Sequence, residues 1–342
     1  MVTIQDVAKA AGVSKSTVSM VINNNPKVKT ETKYKVLSVI EKLGYVRNVS
    51  AVELTTKHKQ NLGVIRFQRA ELKNSFEGDP FTFYHDVANG IYRELQGSNY
   101  GLLHEEIKST NGICQIPQMV KTNRIEGLLI IGGIFDKQFI ETIREKISSV
   151  VILGVDYPDY DCVAMDSKFG TYTGIKYLID HGHRDILFIN GPEFTTSTDL
   201  KEEGYRLALA EAGIPFNEKR HMKSPFSGSG GYNAIKEVFE KDTTHPTAIF
   251  TGSDSIAAGV LRYFYEKRIM IPEDISVATF DDSILTEFGT PPLTSINMNK
   301  EQVGIEGYRM LKRRIKNPKA ERKCVTVPYK IIDRGSVKKI TG

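Results

Sequence analysis

Residues 13–23 read VSKSTVSMVIN. Val18, Val21 and Ile22 recur at helical spacing and mark one apolar side of a short helix. The other side carries Lys15, Ser16, Thr17, Ser19, Met20 and Asn23. A solvated helix ordinarily shows Glu and Lys pairs on that side. One cation, short hydroxyls, a thioether and an amide make a face suited to contact instead.

The flanks extend the pattern. Thr3-Ile4-Gln5-Asp6 reads as a capping box, and Ile4, Val7, Ala8 and Ala11 follow as one helical stripe. Gly12 stops that helix, Val13 sits in the turn, and Ser14 is placed to cap the next helix. Thr30 is read as the cap of a third helix, with Val36, Leu37, Ile40 and Leu43 inward and Gly44 as its stop. Three short helices, the first two joined by a tight glycine turn, are helix-turn-helix geometry. The second helix then lies in a DNA major groove. Lys15 reaches guanine acceptors, the hydroxyls approach bases or phosphates, and Met20 offers an apolar contact. The plainer alternative is a helical packing module whose polar face has no partner.

Charge agrees with the first reading, although a solvated basic surface would show the same charge. The 342-residue chain has a formal net charge of +5. Residues 1–60 hold ten Lys and Arg against four Asp and Glu, while the remainder holds 36 against 37. The basicity is concentrated in the head, as a polyanion partner requires. Composition, with 40% hydrophobic and 25% charged residues, is that of a globular protein of more than one domain. There is no run of eighteen apolar residues, and the N-terminus lacks the apolar segment of a signal peptide, so no membrane contact and a bacterial cytoplasmic, nucleoid-associated location are expected. Cys114, Cys162 and Cys324 are far apart in sequence and show neither metal-ligand nor redox spacing, which suits a reducing compartment.

The stretch TIQDVAKAAGVSKSTVSMVIN, the following KVKTETKYKV and Leu43-Gly44-Tyr45 resemble the head of the LacI/GalR family of bacterial transcription regulators. The resemblance implies DNA contacts from Thr3, Lys15, Ser16, Thr17, Ser19, Met20 and Asn23. It also implies that residues 47–60 are a hinge helix that folds on operator DNA. There Asn48 and Ala51 match the family, and Leu54 is the wedge that opens a minor-groove base step. Arg47 replaces the usual proline, Val52 the usual arginine, and Met20 an arginine common in the family, so a divergent operator is expected.

After Gln60 the pattern alternates. NLGVIRF (61–67), EGLLIIGG (126–133), VVILGVD (150–156), DILFING (185–191), TAIFTG (247–252) and ISVATFDD (275–282) are apolar runs of strand length. Helical patterns such as 87–96, 170–182, 202–213 and 231–240 lie between them. Buried strands alternating with helices predict an α/β body of two doubly wound parallel-sheet lobes, with ligands beyond the carboxyl ends of the strands. Gly182-His183-Arg184, Gly191-Pro192, the segment 271–277, Asp281-Asp282, the segment 291–294 and Arg334-Gly335-Ser336 resemble the same family. They imply a periplasmic-binding-protein-like body. The expected division is 1–46 helix-turn-helix domain, 47–60 hinge and 61–342 body. Lobe 1 is then about 61–164 plus 297–327, and lobe 2 about 165–296 plus 328–342.

The resemblance further implies effector contacts from Phe83, Tyr84, Thr195, Lys201, Phe226, Ser253 and Asp281. Lys201 stands where most members have arginine, and Ser253 replaces a common asparagine. Aromatic faces over C–H patches, with ionised groups on hydroxyls, suit a sugar-like ligand. The alternatives are core aromatics at 83, 84 and 226, a solvated Lys201, and Asp281 as a turn residue. No cofactor, metal or catalytic set is expected. His181-Gly-His183 lacks further ligands, SGSGG at 227–231 lacks the Lys-Ser/Thr of a P-loop, and no G-x-S-x-G or H-E-x-x-H occurs.

The functional expectation is a transcriptional repressor of carbohydrate genes, a non-enzyme, with double-stranded operator DNA and a small-molecule effector as partners. A homodimer is expected because the chain ends soon after Ser336, without a leucine-rich tail. Two alternatives stand beside it. One is a catabolite-control type regulator governed by a partner protein. The other is a sugar-binding or sugar-processing protein with an incidental basic head.

Overall fold

The computed structural model describes residues 2–22, 25–45, 59–69, 80–110, 113–132, 137–193, 195–241 and 244–340. The chain divides into Met1–Gln60 and Asn61–Gly342.

In the first unit, helices α1 (Ile4–Ala11), α2 (Lys15–Ile22) and α3 (Thr30–Leu43) enclose Val7, Ala8, Ala11, Val18, Val21 and Val36. The capping box forms as expected. Thr3 N donates to the Asp6 carboxylate at 2.8 Å, and Asp6 N donates to Thr3 Oγ1 at 3.4 Å. Gly12 ends α1 at φ 62°, the left-handed conformation that glycine adopts without a Cβ penalty. The N–H of Val13 then closes back on Ala8 O at 3.0 Å. Ser14 caps α2 by accepting from Thr17 N at 3.1 Å. Two expectations fail. Thr30 is the first helical residue and not the cap, because the boundary residue is Lys29, which makes no side-chain cap bond. Leu37 is 42% exposed, and Val39 takes the inward place with Val36, Ile40 and Leu43. Positions 36, 39, 40 and 43 share one face of a 3.6-residue period, and 37 lies one step off it.

The second unit holds two sheets. The first contains β1 (Asn61–Arg69), β2 (Gly101–Thr110), β3 (Ile113–Cys114), β4 (Gly127–Ile131), β5 (Val150–Gly154), β6 (Asp161–Met165) and, from far along the chain, β12 (Cys324–Val327), in the order β12-β6-β5-β4-β1-β2-β3. The second contains β7 (Ile186–Asn190), β8 (His221–Lys223), β9 (Ala248–Thr251), β10 (Ser276–Asp281), β11 (Thr294–Asn297) and β13 (Lys330–Ile332), in the order β13-β11-β10-β9-β7-β8. All pairings are parallel except β2 with β3 and β11 with β13. Strands β4, β5 and β7 are buried along their whole length, which is why they read as unbroken apolar runs.

The connecting helices include α4 (Pro80–Leu95), α5 (Lys137–Lys146), α6 (Ser167–Asp180), α7 (Thr196–Glu211), α8 (Gly228–Lys241), α9 (Asp254–Lys267) and α10 (Lys300–Lys316). The chain passes between the sheets three times: from β6 into α6, from β11 into α10, and from β12 into β13. Strands β6 and β11 end at these crossings, so the carboxyl ends of both sheets meet at the junction of the lobes. Among the described residues, no helix is long and apolar enough to cross a membrane.

Candidate functional site

Two places combine exposed or buried polar groups with a shaped support, and they are built differently. On the head, the apolar side of α2 goes inward through Val18 and Val21. Lys15 and Ser16 are exposed, and Thr17, Ser19 and Met20 are half-buried. The Ser14 hydroxyl lies 2.7 Å from that of Ser16 and 2.8 Å from that of Thr17. These contacts set the hydroxyls at the start of α2, beside the backbone N–H groups of its first turn, of which Thr17 N is already held by Ser14. The Thr3 hydroxyl is committed to the Asp6 carboxylate at 2.7 Å, and that bond holds the Asp6 pKa below its ordinary value. Asn23, Asn48, Ala51 and Leu54, and with them the hinge departures Arg47 and Val52, lie outside the described residues.

In the body, the expected effector residues sit at or beside strand carboxyl ends. Phe83 lies over Gly154, the last residue of β5; a Cβ there would approach its ring to 3.1 Å. Tyr84 packs 5.1 Å from the His104 ring, and the Arg66 guanidinium lies 5.3 Å from its ring centre. Burial pushes the Tyr84 hydroxyl up to about 12. Phe226 covers Gly191, just past β7, where a Cβ would meet the ring at 2.2 Å. Only glycine admits that approach.

The Lys201 ammonium is buried. It donates to Gly252 O at 2.6 Å and stands 4.0 Å from the Phe280 ring centre and 5.4 Å from that of Phe226. A cation over two aromatic faces in a desolvated site is a strong local field. Thr195 and Ser253 are helix caps: they accept from Thr198 N at 3.1 Å and Ile256 N at 3.3 Å. Asp281 ends β10 at φ 111° and is buried. The structure thus gathers Lys201, Phe226, Ser253 and Asp281 at the ends of the second sheet. It sets Phe83 and Tyr84 in the first lobe.

Three charged groups were not singled out from the sequence. Lys300, in the first turn of α10, is 4% exposed and pairs with Asp86 of α4 at 2.8 Å. Burial works against its charge, but Asp281 and Asp86 outweigh it and raise its pKa. A lysine at a helix N-terminus opposes the helix dipole. That misplaced cation is the signal that sequence reading had available. Asp254, first in α9, accepts from Ser283 N at 2.5 Å and Thr279 Oγ1 at 3.0 Å. Burial, and then the neighbouring Asp281, push its carboxyl up to about 8. Asp281 is likewise raised by burial, against the pull of Lys201 and Lys300. The junction therefore holds two buried ammonium groups, Lys201 and Lys300, and two buried carboxyl groups, Asp254 and Asp281, beside aromatic rings, with the half-buried Asp86 at its edge.

Two surface hollows lie elsewhere. One, of about 410 Å³, is lined by Ser229, Tyr232 and Asn233 of α8 and by Ala258 and Arg262 of α9. The other, of about 550 Å³, is lined by Tyr308, Arg309, Lys312, Arg313 and Lys316 of α10. No group of three or more potential metal ligands occurs among the described residues.

Comparison with known proteins resolves the assignment. Residues 3–48 match the bacterial regulatory proteins of the lacI family, and residues 175–337 match the periplasmic binding protein-like domain. The HTH-type transcriptional repressor PurR of Pasteurella multocida (strain Pm70) is 32% identical over 342 residues, covering 99% of both chains. The chain belongs to the lacI family of bacterial regulatory proteins. Its fold is shared with the Lac repressor dimer bound to operator and the anti-inducer ONPF, at TM-score 0.79 and 22% identity, over 98% of this chain and 99% of that one. It is shared too with the transcriptional regulator CelR in complex with cellobiose, at TM-score 0.68 and 24% identity, over 98% and 100%. As a family member, the chain is a helix-turn-helix transcription regulator with a two-lobed α/β body.

Proposed function

We infer that this lacI-family member is a repressor of carbohydrate-utilisation genes, acting as a homodimer on a near-palindromic operator and governed by a sugar-like ligand between its lobes. The observation that carries the ligand class is the grouping of Lys201, Phe226, Phe280 and Asp281 at the strand ends of the second sheet. Aromatic faces bind the C–H side of a sugar ring, and ionised groups bind its hydroxyls through charge-assisted hydrogen bonds. The cellobiose complex of a regulator with the same fold agrees with this class.

Lys15, Ser16, Thr17, Ser19, Met20 and Asn23 read the major groove, and Leu54 with Asn48 and Ala51 serves the minor groove. The working division remains 1–46 head, 47–60 hinge and 61–342 body. Tyr265, Ile284, Leu285 and Phe288, all exposed on the second lobe, support self-association, because large apolar side chains clustered on a surface mark contact sites.

Selection of bound duplexes from a random pool by the purified protein, with and without a panel of sugars, tests the reading. Enrichment of a near-palindrome that one sugar alters is the expected outcome. Enrichment that no sugar alters removes the sugar ligand.

One observation favours a second reading, control by a partner protein. The hollow on α10 presents Lys312 and Lys316 on the lobe surface, away from the strand ends. An acidic partner there would change operator affinity without any small molecule. Its test is operator affinity of Lys312→Glu/Lys316→Glu in cell extract compared with purified protein.

A further inference from the structure

Cys162 and Cys324 are 162 positions apart in sequence, yet they are direct register partners on the parallel strands β6 and β12. Both are free thiols, and their side chains enter the same core cluster, so they leave the sheet on one face. Adjacent strands run about 4.7–4.9 Å apart, within the roughly 4.4–6.8 Å between Cα atoms that a disulfide spans. The two thiols differ in access. Cys162 is fully buried, its sulfur accepting from Tyr157 N at 3.1 Å, whereas Cys324 is half-buried on the edge strand of the sheet. The Arg322 guanidinium, paired with Asp156 and donating to Tyr160 O at 2.9 Å, lies beside both sulfurs. Cys114 sits on β3, at the opposite edge of the same sheet, and cannot reach either of them.

We propose that Cys162 and Cys324 form a peroxide-oxidisable dithiol that closes to an intramolecular disulfide. The Cys324 sulfur, the less enclosed of the two, attacks hydrogen peroxide: the S–O bond forms, the O–O bond breaks, and one water leaves. The resulting sulfenic acid is attacked by the Cys162 sulfur: the S–S bond forms, the S–O bond breaks, and a second water leaves. Two thiols give up two hydrogens and two electrons, and the peroxide is reduced to two waters. The bond ties together the strands that, three residues further on, lead into two of the three crossings between the lobes.

Burial pushes the Cys162 thiol up to about 11 and raises that of Cys324 as well. The pair therefore rests protonated at neutral pH. Oxidation accelerates as pH rises, by about tenfold per unit while thiolate is the minor form.

The test treats the full-length protein with hydrogen peroxide at several pH values, blocks the remaining thiols, and maps peptides without reduction. The expected result is one cross-link, Cys162 to Cys324, with two hydrogens lost from the intact mass and reversal by dithiothreitol. Cys114 stays open to alkylation. Cys162→Ser and Cys324→Ser each remove the cross-link, and Cys114→Ser keeps it. Oxidation of Cys324 to a sulfinic or sulfonic acid with Cys162 still a thiol overturns the proposal. So does cross-linking between chains, a rate independent of pH, or no cross-link at any pH.

Discussion

The head and the body solve opposite electrostatic problems. The head keeps its charge in water: Lys15 is exposed at the start of α2. The body takes its charges out of water: Lys201, Lys300, Asp254 and Asp281 are all buried at the lobe junction. Solvated cations act on a polyanion at long range, and salt screens them. Buried charges act at short range, are little screened, and must be balanced within the protein. One chain can therefore hold a salt-dependent DNA contact and a salt-insensitive ligand contact that titrate and mutate separately.

The sharpest way to break this comparison is Asp281→Ala. It removes a carboxylate facing the buried Lys201 and Lys300, and loss of one partner of a buried charge set costs about 3–5 kcal/mol. Body stability should fall by that order and the ligand response should vanish, while operator binding persists in whatever fraction stays folded. Denaturant unfolding and titration of the folded protein with the selected sugar check both parts. An unchanged ligand response removes Asp281 from the site.

Next in size is Lys15→Ala with Ser16→Ala. Each lost base or phosphate contact is worth about 1–3 kcal/mol, so operator affinity should drop by roughly thirtyfold or more. Ligand affinity should not move. Fluorescence anisotropy with labelled operator and calorimetry with ligand measure the two, and joint loss would sink the separation of roles.

Gly191→Ala places a methyl into the Phe226 ring. Overpacking of this kind costs about 1–3 kcal/mol unless the ring moves. Ligand affinity should fall more than operator affinity, and a ring that swings aside without loss of affinity would exclude Phe226 from the contact.

A pH effect sharpens the comparison further. In the unfolded chain Asp254 loses its proton near 3.8, whereas in the folded body it holds it to about 8. Between those values the folded state carries the extra proton. Stability from this group is therefore greatest at the acid end, falls as pH rises through the window, and levels off above about 8. Asp254→Asn should flatten that slope in unfolding curves taken across the range, and an identical slope in the variant would assign it elsewhere.

The smallest change expected is in the head. Thr3→Ala removes the cap on α1 and should cost about 1 kcal/mol of head stability by thermal unfolding.

The local chemistry of the head was legible because capping is a matter of neighbours in sequence. Thr3 with Asp6, Gly12, Ser14 and Gly44 are read three or four residues at a time. Leu37 was misplaced because an adjacent apolar residue extends a stripe on paper, while a helix turns it about 100° away. In the body, strands buried on both faces announced themselves as apolar runs. Strand β2, GLLHEEIKST, did not, since its His, Glu and Lys positions interrupt the run.

The sequence alone determined the element types, the basic head on a near-neutral body, and the family, since each depends on residue order or a sum of charges. Only the tertiary structure decided which distant residues meet. Lys300 reaches Asp86 across more than two hundred positions, Asp254 stands beside Asp281, and Cys324 is laid against Cys162. The first and last of these meetings follow from chain crossings between the two sheets, and burial strengthens the interaction between the charged groups it brings together. Neither the crossings nor the dielectric is written in any local stretch of residues.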